Sequence, residues 1–255
     1  MPPLFTGVGV ALVSLFDDDS RLDPAATADL AVQLTGLGMR SVLVAGTTGE
    51  AMALSVDERS ALIEAVRTAV PADVPVIAGT GAATGTQSAL LTERAFDAGA
   101  DAALVLSPPA VADPRPYFDR VAKAGNGRPL LAYHFPFASA PGIPVEYLSD
   151  LPVSGLKDSC GDAGRLIEEV EQFDGDIYVG NTTMLSLGGA IGVTGAILVL
   201  ANAEPERCIA AFNGDGKAQV ELAAPHRASM VGFPAGIKQL VADRFGVSAV
   251  ARVGA

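Results

Sequence analysis

Apolar runs of strand length recur along the chain at intervals of about 20 to 35 residues, and a stretch with helical spacing follows each of them. The runs are GVGVALVSLF, SVLVAG, VPVIAG, AALVLS, PLLAYH, VSGLKD, IYVG and GAILVL, eight in all. Most are apolar along their whole length instead of alternating with polar residues, which is the mark of strands covered on both faces in a parallel sheet. Between them the helical signals are direct. Asp23 followed by Pro24 is an N-cap with proline in the first turn, leading to Leu30, Leu34 and Leu37. Ser55 to Glu58 reads SVDE, a capping box, with Leu62, Val66 and Ala69 as the apolar face behind it. Leu166, Ile167, Val170 and Phe173 predict a further amphipathic helix. Eight such strand–helix units in 255 residues match a single (β/α)8 TIM barrel, an α/β fold, spanning 1–255 with extra helices closing it from about residue 204.

A doubly wound sheet also alternates strands and helices, but it would place a glycine-rich phosphate turn after its first strand. Here the first run is followed by FDDDSRLDP, which has no glycine and whose aspartates repel a pyrophosphate.

Composition narrows the chemistry. Seventeen Lys+Arg against 29 Asp+Glu give a net charge of -12, which disfavours nucleic acid and anionic lipid as partners. Cys160 and Cys208 are the only cysteines, and with His134 and His226 they form no cluster of metal-ligand spacing, so no metal is expected. Such cysteine usage fits a reducing compartment, and a cytoplasmic location is expected. The N-terminal stretch lacks a basic leader pattern, and LGGAIGVTGAILVLANA is short of the roughly 20 apolar residues needed to span a bilayer.

In a barrel of this kind the reacting groups stand at the C-terminal ends of the strands. Lysine is scarce, with four in the whole chain, yet Lys157 ends the apolar run VSGLKD. Alternation along Val153, Gly155 and Lys157 aims it either into the barrel mouth or, as many lysines lie, along the rim toward solvent or Asp158. A free lysine is deprotonated in about one molecule in 2500 at pH 7, so half-deprotonation needs a shift of about 3.4 units, roughly 4.6 kcal/mol, which burial can supply. An amine so poised is a nucleophile toward carbonyl carbon.

AGTTGE, Ala45 to Glu50, follows the second strand. It reads either as a plain glycine turn with Glu50 and the threonines as caps, or as a nest of backbone N–H groups suited to a carboxylate. It lacks the lysine of a phosphate-binding P-loop. Tyr133 ends the fifth run and is either a rim aromatic or a proton carrier. His134, next to it, should point to the opposite face in a structural role, and Cys160 is expected to be a small buried side chain.

Taken in this order, GTTGE, YHFP and GLKDS resemble the carboxylate loop, the tyrosine segment and the Schiff-base lysine strand of the dihydrodipicolinate synthase / N-acetylneuraminate lyase family of class I aldolases. PVIAGTGA, YVGN and GVTGAILVLAN also resemble family segments, so the likeness covers nearly the whole chain. The resemblance implies a lyase in which Lys157 forms an imine with pyruvate or a related 2-oxo acid and an aldehyde is the other reactant. It implies that Thr48, with Gly46 and the loop backbone, holds the carboxylate, that Tyr133 shuttles protons with Thr47 bonded to it, and that Gly180 and Ile197 line the pocket. It calls for no organic cofactor and implies a homo-oligomer, a dimer or tetramer.

Two departures bear on the substrate. Pro109 and Ala110 stand where the synthases carry a tyrosine pair, and Phe137 to Ala140, FASA, replaces the segment holding an arginine that grips the aldehyde's carboxylate. Both losses point to an aldolase of the 2-keto-3-deoxy sugar acid type, with dihydrodipicolinate synthase (4-hydroxy-tetrahydrodipicolinate synthase) as the alternative. A barrel that binds a small acid without turning it over is a third reading. The chain is also shorter than family members toward its C-terminus.

Overall fold

A computed structural model describes residues 2–254. Eight parallel strands close into a barrel in chain order: β1 (Gly7–Ala11), β2 (Val42–Val44), β3 (Val76–Gly79), β4 (Ala102–Leu106), β5 (Leu130–His134), β6 (Gly155–Asp158), β7 (Asp176–Val179) and β8 (Gly195–Leu198), with β8 pairing back onto β1. All eight apolar runs contain a strand. The helices are α1 (Pro24–Gly36), α2 (Val56–Ala69), α3 (Gly85–Asp97), α4 (Arg115–Gly125), α5 (Ala163–Gln172) and α6 (Leu185–Ile191), then α7 (Pro205–Phe212), α8 (Gly216–Glu221), α9 (Ala223–Ser229) and α10 (Ala235–Phe245). Among the described residues no helix is long and apolar enough to cross a membrane.

Local chemistry sets the helix starts. The Asp23 carboxylate accepts from Ala26 N at 2.9 Å, and Ser55 and Glu58 close the capping box in both directions at 3.1 and 2.8 Å. Packing selects the faces, and here two expectations fail. Leu62 and Val66 of α2 are buried but Ala69 is exposed, its place taken by Ile63 and Val70. On α5 the inner face is Leu166, Glu169 and Phe173, while Ile167 and Val170 are 53% and 39% exposed. A carboxyl group occupies the buried position: Arg165, one turn back, meets it at 2.8 Å, and burial, with Asp158 nearby, raises it to about 9 so that it need not carry a full charge.

Alternation along the strands separates two cores. Leu43, Ile77, Leu104, Leu131, Tyr178 and Ile197 point inward and, with Phe5 below them, plug the barrel. Phe5 stacks on Tyr178 at 4.5 Å, and the Tyr178 hydroxyl donates to Phe5 O at 3.0 Å, closing the N-terminal end. Strand residues of opposite parity, Val44, Ala103, Ala132 and Leu156 among them, pack under the helices in the larger core. Above the plug, at the C-terminal ends of the strands, the inward series leaves open space.

Candidate active site

The register of β5 on β6 sets Tyr133 beside Lys157, and that of β6 on β7 sets Lys157 beside Tyr178. Lys157 follows Gly155 by two residues on the inward face and is 4% exposed. Its Nζ lies 4.5 Å from the centroid of the Tyr133 ring. The neighbouring Asp158 carboxylate faces outward and is engaged by Arg165 Nε at 3.1 Å, so it leaves the amine uncompensated. Burial alone lowers the Lys157 amine to about 7.

Gly180, on the next strand end, provides the room for that side chain. A Cβ there would stand 2.9 Å from Lys157 Cε, 1.9 Å from Ser159 Oγ and 2.9 Å from Asp158 O. Gly180→Ala is expected to destabilise the fold by about 1–3 kcal/mol through overpacking. It should also lower kcat more than it raises KM, because the groups it crowds are Ser159 and the end of the Lys157 side chain; steady-state kinetics beside thermal unfolding check both.

The Tyr133 phenol is pushed up to about 12, first by burial, with the Ser159 and Thr47 hydroxyls beside it pulling the other way. Ser159 Oγ is itself buried without a hydrogen-bond partner among the described residues. It stands in the same cavity as Lys157 and Tyr133, and the sequence does not announce it because a serine after a strand has no distinguishing pattern.

The turn after β2 is built for close approach. Ala45 and Glu50 adopt left-handed backbone at φ 50 and 55, bracketing Gly46 to Gly49. Gly79 lets the turn pass, since a Cβ there would meet Ala45 O at 2.2 Å. The backbone N–H groups of Thr47 and Thr48 donate to no acceptor among the described residues. Glu50 does not cap the following turn. Its Oε2 accepts from Arg252 N and Val253 N at 2.8 and 2.7 Å, and its Oε1 pairs with Lys238, so the turn is tied to the C-terminal segment.

Two cavities meet above the barrel plug, with Thr47, Tyr133 and Phe233 as shared walls. The lysine chamber, about 200 Å³, is walled by Thr47, Thr48, Lys157, Ser159, Gly180 and Val199. The second, about 360 Å³, lies toward β2, β3 and β4 and includes Gly46. Of the residues the sequence singled out, Lys157, Tyr133, Thr47, Thr48 and Gly180 converge on the lysine chamber. Gly46 faces the second cavity. Ile197, fully buried, points inward among the plug residues and is not on the chamber wall, which Val199, two residues further along, reaches. A wider depression of about 720 Å³ around Arg40 and Asp176 lies at the N-terminal end of the barrel and contains none of these groups.

His134 faces away from the chamber as expected, accepting from Ile143 N at 2.9 Å through Nδ1. The fold nevertheless brings His134, Asp158 and Cys160 together with their ligand atoms within 4.8 Å, which chain spacing does not announce. With Nδ1 used as an acceptor, a neutral imidazole carries its proton on Nε2 and offers no metal lone pair. Burial lowers His134 to about 4, so the ring is neutral, and Arg165 already supplies the positive charge beside Asp158. Cys160 is half-buried, its thiol bonded to Asp158 at 3.2 Å and raised to about 12, chiefly by burial. The cluster is a structural one behind the lysine strand.

A model of the dihydrodipicolinate synthetase family matches residues 4–242. A 4-hydroxy-tetrahydrodipicolinate synthase of Natronomonas pharaonis is 36% identical over 226 residues, which cover 83% of this chain and 76% of that protein. Among solved structures, YagE from E. coli K12, in complex with pyruvate, superposes with a TM-score of 0.90 at 24% identity, covering 99% of this chain and 93% of that one. The KD(P)GA of T. tenax gives 0.86 at 24% identity, covering 96% and 90%. The structural likenesses speak for the barrel, and the match along the sequence goes further: the chain belongs to the dihydrodipicolinate synthetase family of lyases.

Proposed function

We propose that the protein is a Schiff-base aldolase that acts on pyruvate or a closely related 2-oxo acid. The observation that carries this reading is the buried, uncompensated Lys157 amine facing both Tyr133 and the threonine turn. The backbone N–H groups of Thr47 and Thr48, with the Thr48 hydroxyl, hold the carboxylate of the acid. Lys157 Nζ then attacks the keto carbon. The Tyr133 phenol, which shares the cavity wall with Thr47, delivers a proton to the carbinolamine oxygen, which leaves as water when the imine forms. The protonated imine draws electrons from the adjacent carbon, whose proton passes to the Tyr133 phenolate to give an enamine and restore the phenol. That carbon adds to an aldehyde, the alkoxide takes a proton from Tyr133, and water releases the product and restores the amine. Cleavage is the reverse sequence.

Borohydride reduction in the presence of pyruvate is expected to place the adduct mass on the peptide containing Lys157. Its rate should rise with pH through about 7, where the buried amine loses its proton, and then level off. A wild-type protein whose Lys157 peptide stays unmodified would refute the reading.

A second reading, 4-hydroxy-tetrahydrodipicolinate synthase, is favoured by the name of the Natronomonas relative. Against it stand Pro109 and Ala110 in place of the tyrosine pair and, among the described residues, the lack of a guanidinium in the lining of the two cavities. Condensation of pyruvate with aspartate semialdehyde is therefore expected to be slow, and brisk turnover of that pair would reverse the ranking.

A further inference from the structure

The second cavity decides what kind of aldehyde the enzyme takes, an inference that rests on the Schiff-base reading above. Tyr133 and Thr47 form part of its wall as well as that of the lysine chamber, so a carbonyl held at the phenol has its substituent directed into this space. At about 360 Å³ the cavity is large enough for a ligand, since such pockets begin at about 300 Å³. Besides the glycine backbone at Gly46, Gly79 and Gly81, its surface is chiefly apolar, with Met52, Leu104, Leu106, Phe233 and Val253 as the large side chains and Ala138 at the rim. Among the described residues no lysine, arginine or histidine lines it. The one charged side chain, Glu50, is 2% exposed and spent on Lys238 and two backbone N–H groups.

In the lysine chamber Ser229 Oγ donates to His226 O at 2.7 Å and Asn181 Oδ1 accepts from Thr183 N at 3.0 Å. Its uncommitted polar groups, Thr47, Thr48 and Ser159, stand beside Lys157, where the 2-oxo acid is seated, and leave the aldehyde's substituent to the second cavity. The mouth is apolar too. Met52 and Met230 are 90% and 51% exposed, and Phe137, 82% exposed, packs edge-on against Phe135 at 6.0 Å. A hydroxyl buried in such a space without a partner costs about tenfold in binding. A carboxylate there would have no counter-charge at all.

We infer that the aldehyde partner carries an apolar hydrocarbon tail, aromatic or aliphatic, seated in the cavity between the β2–β4 mouth and the C-terminal segment. This replaces the sugar-derived acid that the sequence suggests. In the synthetic direction the enamine carbon of the Lys157–pyruvate adduct forms a bond to the aldehyde carbon while the C=O π pair takes up the Tyr133 proton. After hydrolysis the product is a 4-hydroxy-2-oxo acid bearing the apolar group at C4.

The test compares initial rates for pyruvate with benzaldehyde, glyceraldehyde and succinic semialdehyde, products being measured by chromatography and mass spectrometry. The kcat/KM for benzaldehyde is expected to exceed that of either polar aldehyde by at least about tenfold. Ala138→Arg places a guanidinium at the cavity rim and is expected to shift the ratio of succinic semialdehyde to benzaldehyde by tenfold or more toward the acid. A wild-type enzyme that traps pyruvate on Lys157 but turns over glyceraldehyde or succinic semialdehyde as well as benzaldehyde, or condenses none of the three, overturns the inference and leaves the Schiff-base reading intact. Failure to trap pyruvate would remove that reading, and the inference with it.

Discussion

Lys157→Met is expected to abolish turnover and to make the fold more stable. The wild-type amine is buried, and the nearest acidic neighbour in the chain, Asp158, is committed to Arg165 on the other side of the strand. Its proton is therefore bound more weakly in the folded protein, near 7, than in the unfolded chain, at 10.5. Between those values the unfolded state holds the extra proton, so stability rises with pH across that window. Below it the full deficit is present, in the linkage limit roughly 5 kcal/mol; above about 10.5 it has vanished. Methionine has a similar length and no charge to desolvate.

Since relaxation and water entry soften such penalties, a gain of about 1–4 kcal/mol at pH 6 is the expected range. For a chain of this size that corresponds to a Tm rise of about 2–4 °C per kcal/mol. Turnover should fall by at least about 1,000-fold, because the proposed nucleophile is gone. Thermal unfolding of both proteins at pH 6 and pH 10 checks the argument. The difference must shrink as pH rises; a variant less stable than wild type at pH 6, by a margin that ignores pH, would mean that the amine carries no desolvation penalty.

The same physics explains why this residue could be read from the chain. A parallel strand covered on both faces is a continuous apolar run, so the eight runs mark the barrel and a polar residue at the end of one is conspicuous. Lys157 and Tyr133 are visible for that reason, and the threonine turn is visible because Gly46 and Gly49 punctuate it. What depends on approach from elsewhere in the fold is not visible. Glu169 of α5 is buried because of its meeting with Arg165 and Asp158, so the helical stripe drawn from apolar residues alone is rotated toward Ile167 and Val170. Val199, and not Ile197, reaches the chamber wall, because which residue of β8 or its extension does so depends on inward side chains of other strands. The apolar second cavity takes its walls from β2, β3, β4, the turn at Phe233 and the tail at Val253, pieces that no local pattern joins. Glu50 has its main partners about 200 residues away, at positions 252 and 253.

Those distant partners make Glu50 and Lys238 the second place where a single change should have a large effect. Lys238 is fully buried on α10, and its Nζ donates to Val250 O, pairs with Glu50 Oε1 and lies 4.1 Å above the Phe16 ring. Arg252 covers the same ring at 4.6 Å and donates to Ala53 O and Glu58. Removing one member of a buried pair strands the other, at a cost of about 3–5 kcal/mol. Lys238→Met is expected to lose that much, leaving the Glu50 carboxylate with backbone donors alone. Glu50→Gln with Lys238→Met should recover most of the loss, since neither residue is then charged. Because Glu50 also joins the threonine turn to the tail that roofs the second cavity, the single variant is expected to raise KM for the 2-oxo acid more than it lowers kcat. Unfolding by denaturant together with steady-state kinetics on the wild type, the single and the double variant separates the two effects. If Lys238→Met costs less than about 1 kcal/mol, the range typical of an exposed pair, the tail does not hold the turn in place.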